Sequence, residues 1–149
     1  MRKKRIKMVI DSDLNNVHLI DMLIETLCSL VSLTDDKAFW IKLCAVEAVN
    51  NCIIHAYERM AGNDVEVIFS LYADKLVLEI CDTGKAMNKA LLNSNNIFGA
   101  DDDNPADIST VEHKGRGLAI IRNMMDSVSY ITDGGKNCLI MQKELNLTP

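Results

Sequence analysis

Glu47 and Asn51 are the two residues whose types and spacing most directly suggest chemistry. They lie four positions apart in residues 45–57, a segment that predicts a helix, so they stand one turn apart on the same helix face. A carboxylate beside a carboxamide is poorly explained by packing, and the pair suits a site that holds a metal ion next to a reacting hydroxyl group. His55 extends the same face by another turn, where a structural hydrogen-bonding role is the more common one.

A second segment, residues 81–87, places an acidic residue in a glycine turn at the end of a hydrophobic strand. It reads Cys-Asp-Thr-Gly-Lys-Ala-Met, so Asp82 leaves the strand two residues before Gly84. A carboxylate at this position can accept a hydrogen bond inside a pocket, and the exocyclic amine of adenine is one donor that fits. The same residues also make an ordinary turn, so this segment decides nothing by itself.

A third segment, residues 112–117, combines two glycines with basic side chains at the start of a predicted helix. Its sequence is Glu-His-Lys-Gly-Arg-Gly. Gly115 and Gly117 would let backbone N–H groups approach a phosphate at the positive end of the helix dipole, and Lys114 and Arg116 add charge at the same place. The spacing matches neither a P-loop nor a dinucleotide-binding fingerprint.

Hydrophobic periodicity predicts the elements that must position these segments. In chain order they are a strand at 5–10, a helix from an N-cap at Ser12 or Asp13 through Val31, a helix from Asp35 to about Met60, strands at 64–72 and 75–81 joined by Ala73 and Asp74, a polar loop at 85–114, a helix at 116–126, and strands near 127–132 and 137–143. This order indicates an α+β two-layer sandwich, a mixed sheet with its helices on one face. Without internal repeats, residues 1–149 are expected to form a single domain.

The composition of the chain argues against several functional classes. Its 149 residues are 48% hydrophobic, enough for a real core, and no run of about 18 apolar residues could span a membrane. The net charge is −5, yet the first seven residues carry five positive charges, so the remaining body carries −10 and is poorly suited to broad nucleic-acid binding. Acidic residues soon follow the basic start, which argues against a signal peptide. Five scattered cysteines in apolar contexts predict reduced, buried thiols in a cytoplasmic protein.

Together the three segments resemble the GHKL family of ATP-binding domains, which includes gyrase, the MutL repair proteins and histidine kinases. The shared order is Glu-x-x-x-Asn on a helix, Asp-x-Gly after a strand, a long polar loop, and Gly-x-Gly entering a helix. Within this family the chain looks most like the anti-sigma factor serine-protein kinases of bacterial partner-switching systems. Residues 47–57, Glu-Ala-Val-Asn-Asn-Cys-Ile-Ile-His-Ala-Tyr, are close to the pattern Glu-x-x-x-Asn-x-x-x-His-Gly/Ala-Tyr, and the resemblance covers nearly the whole chain.

The resemblance implies a role for each motif. Glu47 would be the catalytic base, and Asn51 would coordinate the Mg²⁺ that bridges the phosphates of ATP. Asp82 would bind the adenine amine, with Gly84 keeping that pocket open, and residues 85–114 would form a lid over the nucleotide. The remaining ATP contacts would come from Lys114, Gly115, Arg116, Gly117 and Asn137.

Glu47 separates the kinase classes within this family on physical grounds. An imidazole acceptor is already nucleophilic, so histidine kinases need no base at this position. A serine hydroxyl or a water molecule benefits from a carboxylate that removes its proton, an effect typically worth about 10²–10⁴-fold in rate. Glu47 therefore favours transfer to serine or threonine, or ATP hydrolysis, over histidine phosphorylation.

Three positions depart from the family pattern. Ala86 replaces the second glycine of Asp-x-Gly-x-Gly, and His113 stands where the family often has an arginine that reaches the γ-phosphate. Asn137 stands where a threonine near the adenine is common, and it could keep a polar contact. Lys114 or Arg116 would have to replace the missing arginine. These departures favour an alternative in which the chain captures partners and transfers no phosphate.

The resemblance thus implies a cytoplasmic anti-sigma factor with ATP-dependent Ser/Thr kinase activity. It would form a homodimer, sequester a sigma factor and phosphorylate a STAS-domain anti-sigma antagonist, with no direct contact to nucleic acid or membrane. The main alternative is a nucleotide-responsive or catalytically silent partner-binding module. A stand-alone ATPase of the gyrase type ranks third, because the chain lacks a transducer domain. A detached histidine-kinase catalytic domain ranks lower still, because of Glu47 and the lack of a phosphoacceptor helix.

Overall fold

The computed structural model describes residues 3–92 and 116–145, which contain five strands and three α-helices. In chain order these are β1 (Lys4–Asp11), α1 (Val17–Ser29), α2 (Asp35–Asn51), β2 (Asp64–Leu71), β3 (Lys75–Asp82), α3 (Arg116–Met124), β4 (Ser127–Asp133) and β5 (Lys136–Glu144). Short 3₁₀ turns occupy Leu14–Asn16 and Lys89–Leu91. Most of the predicted lid lies outside the described residues.

The five strands form one sheet in the order β1-β2-β3-β5-β4. The two-layer α+β class is confirmed, but the prediction of a mixed sheet is wrong, because every neighbouring pair in this sheet is antiparallel. The physical reason is the position of β5. The crossover that contains α3 joins β3 to β4, which run in the same direction, but β5 returns through a hairpin and lies between them. The two parallel strands are therefore never hydrogen-bonded neighbours.

The core lies between the helices and one face of the sheet. Alternate residues of β2 and β3 are fully or almost fully buried, as period-2 patterning requires: Val65, Val67, Phe69, Leu76, Leu78 and Ile80. They pack in one cluster with apolar side chains of the helices, including Ile20, Ile24, Ile41, Val49 and Ile121. Each such aliphatic side chain contributes about 1.5–3 kcal/mol on burial, so this cluster fixes the helices over the sheet.

Helix α2 begins as its sequence indicates but ends earlier than predicted. The Thr34 side chain caps it by accepting from the Lys37 N–H at 3.2 Å. The α-helix ends at Asn51, and Cys52–Ala56 form a π-helical turn, so the predicted end near Met60 is wrong. Beyond this turn Glu58 and Arg59 have positive φ angles of 51° and 64°, which cannot continue a right-handed helix.

The two N-cap candidates before α1 have different roles. Asp13 caps the 3₁₀ turn that leads into α1, because its carboxylate accepts from the Asn15 N–H at 2.9 Å. Ser12 is buried, and its hydroxyl donates to the Met60 carbonyl at 2.6 Å. Ser12 therefore ties the end of β1 to the segment after the π-helical turn.

The cysteines differ from expectation at two of five positions. Cys81 and Cys138 form a disulfide between β3 and β5, so the prediction that all five are reduced thiols is wrong for this pair. The sequence could not pair them, because the two strands are distant along the chain. Cys28, Cys44 and Cys52 are free and buried, as predicted. Burial raises the pKa of Cys28 to about 11 and that of Cys44 to about 12, which keeps both thiols protonated and unreactive.

Candidate functional site

A largely apolar pocket of about 470 Å³ lies between the end of α2 and the helix-facing side of β3 and β5. Asn51 and Asp82, from segments far apart in sequence, both line it. The apolar part of its wall includes Ala48, Ile80, Leu118 and Leu139. The structure thus brings two of the predicted site residues into one cavity whose size and polarity suit a flat heterocycle.

Asp82 forms a hydrogen-bonded group with Gly84 and Asn137, which we call the carboxylate floor, and of these three residues Asp82 lines the pocket. Asp82 is only 7% exposed. Its Oδ1 accepts from the Gly84 N–H at 3.0 Å and from Asn137 Nδ2 at 2.9 Å. Because an ionised carboxylate has about four acceptor positions, these two bonds fix its orientation and leave capacity for a donor on a ligand.

Asn137 supports Asp82 and is not among the residues that line the pocket. It is 2% exposed, and its Nδ2 also donates to the Gly84 carbonyl at 3.1 Å. Its Oδ1 accepts from Thr132 Oγ1 at 3.0 Å. The carboxamide is therefore turned towards protein groups on both sides. The structure places it behind the carboxylate, where it holds Asp82 and the glycine turn together.

Gly84 is required by a close approach of two backbone segments. A Cβ at this position would lie 2.3 Å from the Ala56 carbonyl oxygen and 2.9 Å from the Tyr57 ring. The adjacent Lys85 N–H donates to the same carbonyl at 2.9 Å. The Tyr57 hydroxyl accepts from the Thr83 N–H at 2.8 Å, which secures the turn from the other side. The turn after β3 is thus pressed against the π-helical turn.

A second group of predicted site residues, which we call the helix face, consists of Glu47, Asn51 and Gly117, and of these three residues Asn51 lines the pocket. Glu47 and Asn51 are half-buried on α2. Gly117 lies in the first turn of α3, and a Cβ on it would lie 2.6 Å from Glu47 Oε2. Only glycine lets the Glu47 carboxylate come this close to the start of α3. The predicted catalytic carboxylate and one predicted phosphate-binding glycine are therefore in contact.

The other predicted ATP contacts divide between described and undescribed residues. Arg116 is half-buried at the first position of α3, next to Gly117. Lys114 and Gly115, together with His113, lie outside the described residues, so their roles stay predictions. Ala86 lines the pocket, where a second glycine was expected from the family pattern.

Comparison with known proteins agrees with this geometry. The family model described as the histidine kinase-like ATPase domain matches residues 10–143, which is most of the chain. The chain belongs to this family. A serine-protein kinase, RsbW of Bacillus mycoides (strain KBAB4), is 28% identical over 141 residues, covering 92% of this chain and 83% of that protein. Serine-protein kinase RsbW of Bacillus cereus (strain Q1) is 28% identical over 143 residues, covering 93% and 84%.

Two residues of this histidine kinase-like ATPase domain contribute to the pocket without having been predicted. Cys52 lines the pocket together with Asp82, and burial, followed by the charge of Asp82, raises the pKa of its thiol well above the usual value. Tyr130 lines the pocket, and its hydroxyl accepts from the Met87 N–H at 2.9 Å. Burial also raises the pKa of Tyr130. Tyr130 could have been found from the alternation of β4, since it faces the helices between Val128 and Thr132.

The described part of the ATPase domain offers few protein ligands for a metal ion. Within residues 3–92 and 116–145, no group of three or more His, Cys, Asp or Glu side chains could hold one. Asn51 offers one amide oxygen at the pocket wall. A single oxygen ligand fits Mg²⁺ bound together with nucleotide phosphates, because Mg²⁺ keeps several waters and takes few protein ligands in such sites. In the same part of the chain, no helix is long and apolar enough to cross a membrane.

Proposed function

We propose that the chain is an ATP-dependent protein serine/threonine kinase that also acts as an anti-sigma factor. The observation that carries the proposal is the two-sided site. A buried carboxylate, Asp82, and the Asn51 side chain line one apolar pocket, and Glu47, one turn before Asn51 on α2, lies against the start of α3. This arrangement can hold a nucleotide base at one side and a reacting hydroxyl at the other.

In the proposed complex, adenine lies in the apolar pocket and its exocyclic amine donates to Asp82. Asn137 and the Gly84 N–H already fix that carboxylate, so little reorganisation accompanies binding. The phosphates extend towards Asn51 and the N-terminus of α3, whose free N–H groups favour negative charge. Bound Mg²⁺, held by Asn51 and the phosphates, would neutralise charge on the transferring group.

Glu47 is the proposed general base. It stands one turn before Asn51, so a hydroxyl aligned with the phosphates would meet its carboxylate. Glu47 removes the hydroxyl proton as the oxygen attacks, and its carboxylate lies against Gly117 at the start of α3, where the phosphates are proposed to bind. The expected contribution is about 10²–10⁴-fold in rate, and positioning supplies most of the remainder.

The proposed substrate is a serine or threonine of a STAS-domain anti-sigma antagonist, and the protein that the kinase is proposed to sequester is a sigma factor. Support comes from the resemblance of residues 47–57 to the anti-sigma kinases and from relatives named serine-protein kinases that match almost the whole chain. We further propose that the kinase is a cytoplasmic homodimer that binds neither nucleic acid nor membrane directly.

The first test is a calorimetric titration of ATP with and without Mg²⁺. We expect Asn51→Ala to weaken the Mg²⁺-dependent part of binding and to leave Mg²⁺-free binding unchanged. Asn50→Ala, next to it on α2, is the matched control and should behave as wild type. Absence of ATP binding by clean wild-type protein would contradict the nucleotide site itself.

The second test separates the kinase from a binding module that transfers nothing. Purified protein and Mg-ATP are mixed with the STAS-domain antagonist encoded nearest to this chain's gene, and phosphate on the antagonist is measured by mass spectrometry. If the antagonist is phosphorylated on serine or threonine by the wild type but not by Glu47→Ala, the proposed kinase activity is supported. Stable capture of the antagonist at every ratio without phosphorylation would favour the binding module.

A further inference from the structure

A disulfide lies immediately next to the carboxylate floor. Cys81 faces Cys138 across β3 and β5, and the next facing pair along these strands is Asp82 and Asn137. The Cα atoms of the two cysteines are 4.1 Å apart. Facing positions without mutual hydrogen bonds in an antiparallel pair are typically about 4.5 Å apart, which brings two cysteine side chains into contact.

The disulfide and the carboxylate floor lie on opposite faces of the same two strands. Consecutive side chains of a strand alternate between faces, so Asp82 and Asn137 point to the helices while Cys81 and Cys138 point away from them. The disulfide therefore cannot touch a ligand in the pocket. It can only act on the pocket by fixing the spacing of β3 and β5 one residue away from the Asp82–Asn137 hydrogen bond.

The two cysteine residues differ in their exposure to solvent. Cys81 is 1% exposed, whereas Cys138 is half-buried beside the edge strand β4, where it faces Ile131, a residue that is 51% exposed. The face that carries the disulfide has no described helix packed over it. Attack by an external thiol would therefore occur at Cys138, with Cys81 as the leaving thiolate.

We propose that Cys81 and Cys138 form a redox modification site whose disulfide holds the Asp82–Asn137 pair in its nucleotide-binding geometry, so that reduction weakens nucleotide binding. The two thiols lose two electrons and two protons when the bond forms, and a small-molecule disulfide such as oxidised glutathione takes them up to give two thiols. In the reverse direction, a dithiol reductant gives up two electrons and becomes a cyclic disulfide.

The direction of the effect follows from the contacts of the floor. Asp82 is oriented by Asn137 from across the strand pair, and the same Asn137 amide holds the Gly84 carbonyl. The disulfide also closes a covalent ring over a sequence separation of 57 residues, which includes the predicted lid and α3. When the disulfide is reduced, only the hydrogen bonds of the sheet hold Asp82 and Asn137 in place. Nucleotide binding must then also order these two side chains, and this cost lowers the affinity.

The first experiment counts thiols in the full chain. Protein treated with oxidised glutathione is denatured in iodoacetamide, with and without prior dithiothreitol, and weighed by mass spectrometry. We expect three alkylated cysteines before reduction and five after it, with the disulfide peptide containing Cys81 and Cys138. Five alkylated cysteines after the oxidant treatment would overturn the proposal.

The second experiment compares ADP binding and Tm between the oxidised and reduced protein. We expect reduction to weaken ADP binding about threefold or more and to lower Tm by about 5 °C or more. Cys138→Ala should show the reduced values in both conditions, while Cys28→Ala, which removes a buried free thiol, should keep the redox response. If Cys138→Ala does not fold, the pair Cys81→Val and Cys138→Val replaces it.

This inference depends on the proposed nucleotide site, and the two can fail separately. Equal ADP affinity in both redox states would overturn the coupling while leaving the nucleotide site intact. Absence of ADP binding in both states would refute the nucleotide site and the coupling together. The thiol count and the change in Tm would then still decide whether the disulfide exists.

Discussion

The carboxylate floor and the helix face hold their functional groups in different ways. On the floor, Asp82 is 7% exposed and receives hydrogen bonds from Gly84 and from Asn137 on a second strand. On the helix face, Glu47 and Asn51 are half-buried, and their relative position comes from the helix backbone of α2. The floor is fixed by hydrogen bonds between elements distant in sequence, whereas the spacing of Glu47 and Asn51 is set within α2, with the Glu47 carboxylate also lying against Gly117 of α3.

Because of this difference, we expect substitutions on the floor and on the helix face to have different effects. Groups on the floor are interlocked, so a change at one of them disturbs the others and the stability of the sheet. The backbone of α2 sets the spacing of Glu47 and Asn51, so a substitution there that keeps the shape of the side chain should disturb the fold less. Mutations on the helix face should therefore affect chemistry most, whereas mutations on the floor should affect binding and stability together.

The largest effect is expected on the helix face. Glu47→Gln removes the proposed base and keeps the shape of the side chain, so the rate of phosphate transfer should fall about 10²–10⁴-fold while ADP affinity and Tm stay close to wild type. Rates come from single-turnover phosphorylation of the antagonist. Glu25→Gln, an exposed position on α1, is the control. A parallel loss of ADP binding would mean that the two sides are not separable.

The second effect is expected on the floor. Asp82→Ala removes a charged hydrogen-bond acceptor worth about 1.5–3 kcal/mol, so ADP affinity should fall about 10–100-fold. Because the Asn137 amide then loses a buried acceptor, Tm should fall as well. Calorimetry and thermal unfolding measure both quantities. Asp133→Ala, exposed at the end of β4, should change neither. Unchanged ADP affinity in Asp82→Ala would show that this carboxylate does not bind the base.

A third change tests whether the floor is held by its contact with the π-helical turn. Gly84→Ala would place a Cβ 2.3 Å from the Ala56 carbonyl, and the overpacking should cost about 1–3 kcal/mol of unfolding free energy. Gly134→Ala is the comparison, because nothing lies within 4 Å of its Cβ and only its φ of +58° opposes the substitution. Urea unfolding of both variants gives the free energies. If Gly84→Ala lowered the free energy of unfolding by less than Gly134→Ala, the close contact between the turn after β3 and the π-helical turn would be contradicted.

The smallest effect concerns the sheet face behind the floor. The Glu66 carboxylate pairs with Lys136 at 2.5 Å and with Lys7 at 3.1 Å, and the hydrogen bond from Lys136 is the main cause of its lowered pKa. A carboxyl group whose pKa is lower in the folded chain stabilises the protein above its unfolded pKa, and this contribution is lost as pH falls through the folded pKa. Since both lysines are partly exposed, Glu66→Gln should cost only about 0.5–1 kcal/mol at pH 7.

Thermal unfolding of wild type and Glu66→Gln between pH 7 and pH 3 measures this contribution. The two stability curves should approach each other as pH falls through the lowered, folded-state pKa of Glu66, where the carboxylate loses the charge that pairs with the lysines. A difference between the curves that stays constant across this range would assign the effect to packing.

Local patterns in the sequence predicted the parts of the fold that depend on local interactions. The β2–β3 hairpin, the start of α2 and the α3–β4–β5 order follow from hydrophobic period and capping chemistry. The family resemblance assigned both Asn51 and Asp82 to nucleotide binding, and the two residues line one pocket. Pairing between distant strands has no such local signal. The antiparallel β3–β5 contact, the hydrogen bond from Asn137 to Asp82 and the disulfide were all missed for this one reason.

The π-helical turn was missed for a different reason. Residues 52–56 carry the apolar spacing of an ordinary helix, and nothing in their composition indicates a wider turn. The turn is set by contacts from elsewhere, since Lys85 donates to the Ala56 carbonyl and Tyr57 anchors the residue after Asp82. The apolar spacing within one helix cannot predict a change in helix geometry that is caused by contacts with another element.

The position of β5 between β3 and β4 also sets an order for synthesis of the protein. A ribosome makes the first three strands long before it makes β5, and the sheet has an unpaired edge at β3 until residues 136–144 emerge. Asp82 meets Asn137 only when this last strand is inserted, so a nascent chain has its helix face before it has its floor. A nucleotide that requires the Asp82–Asn137 pair, as proposed, can therefore stabilise this domain only after β5 has been translated.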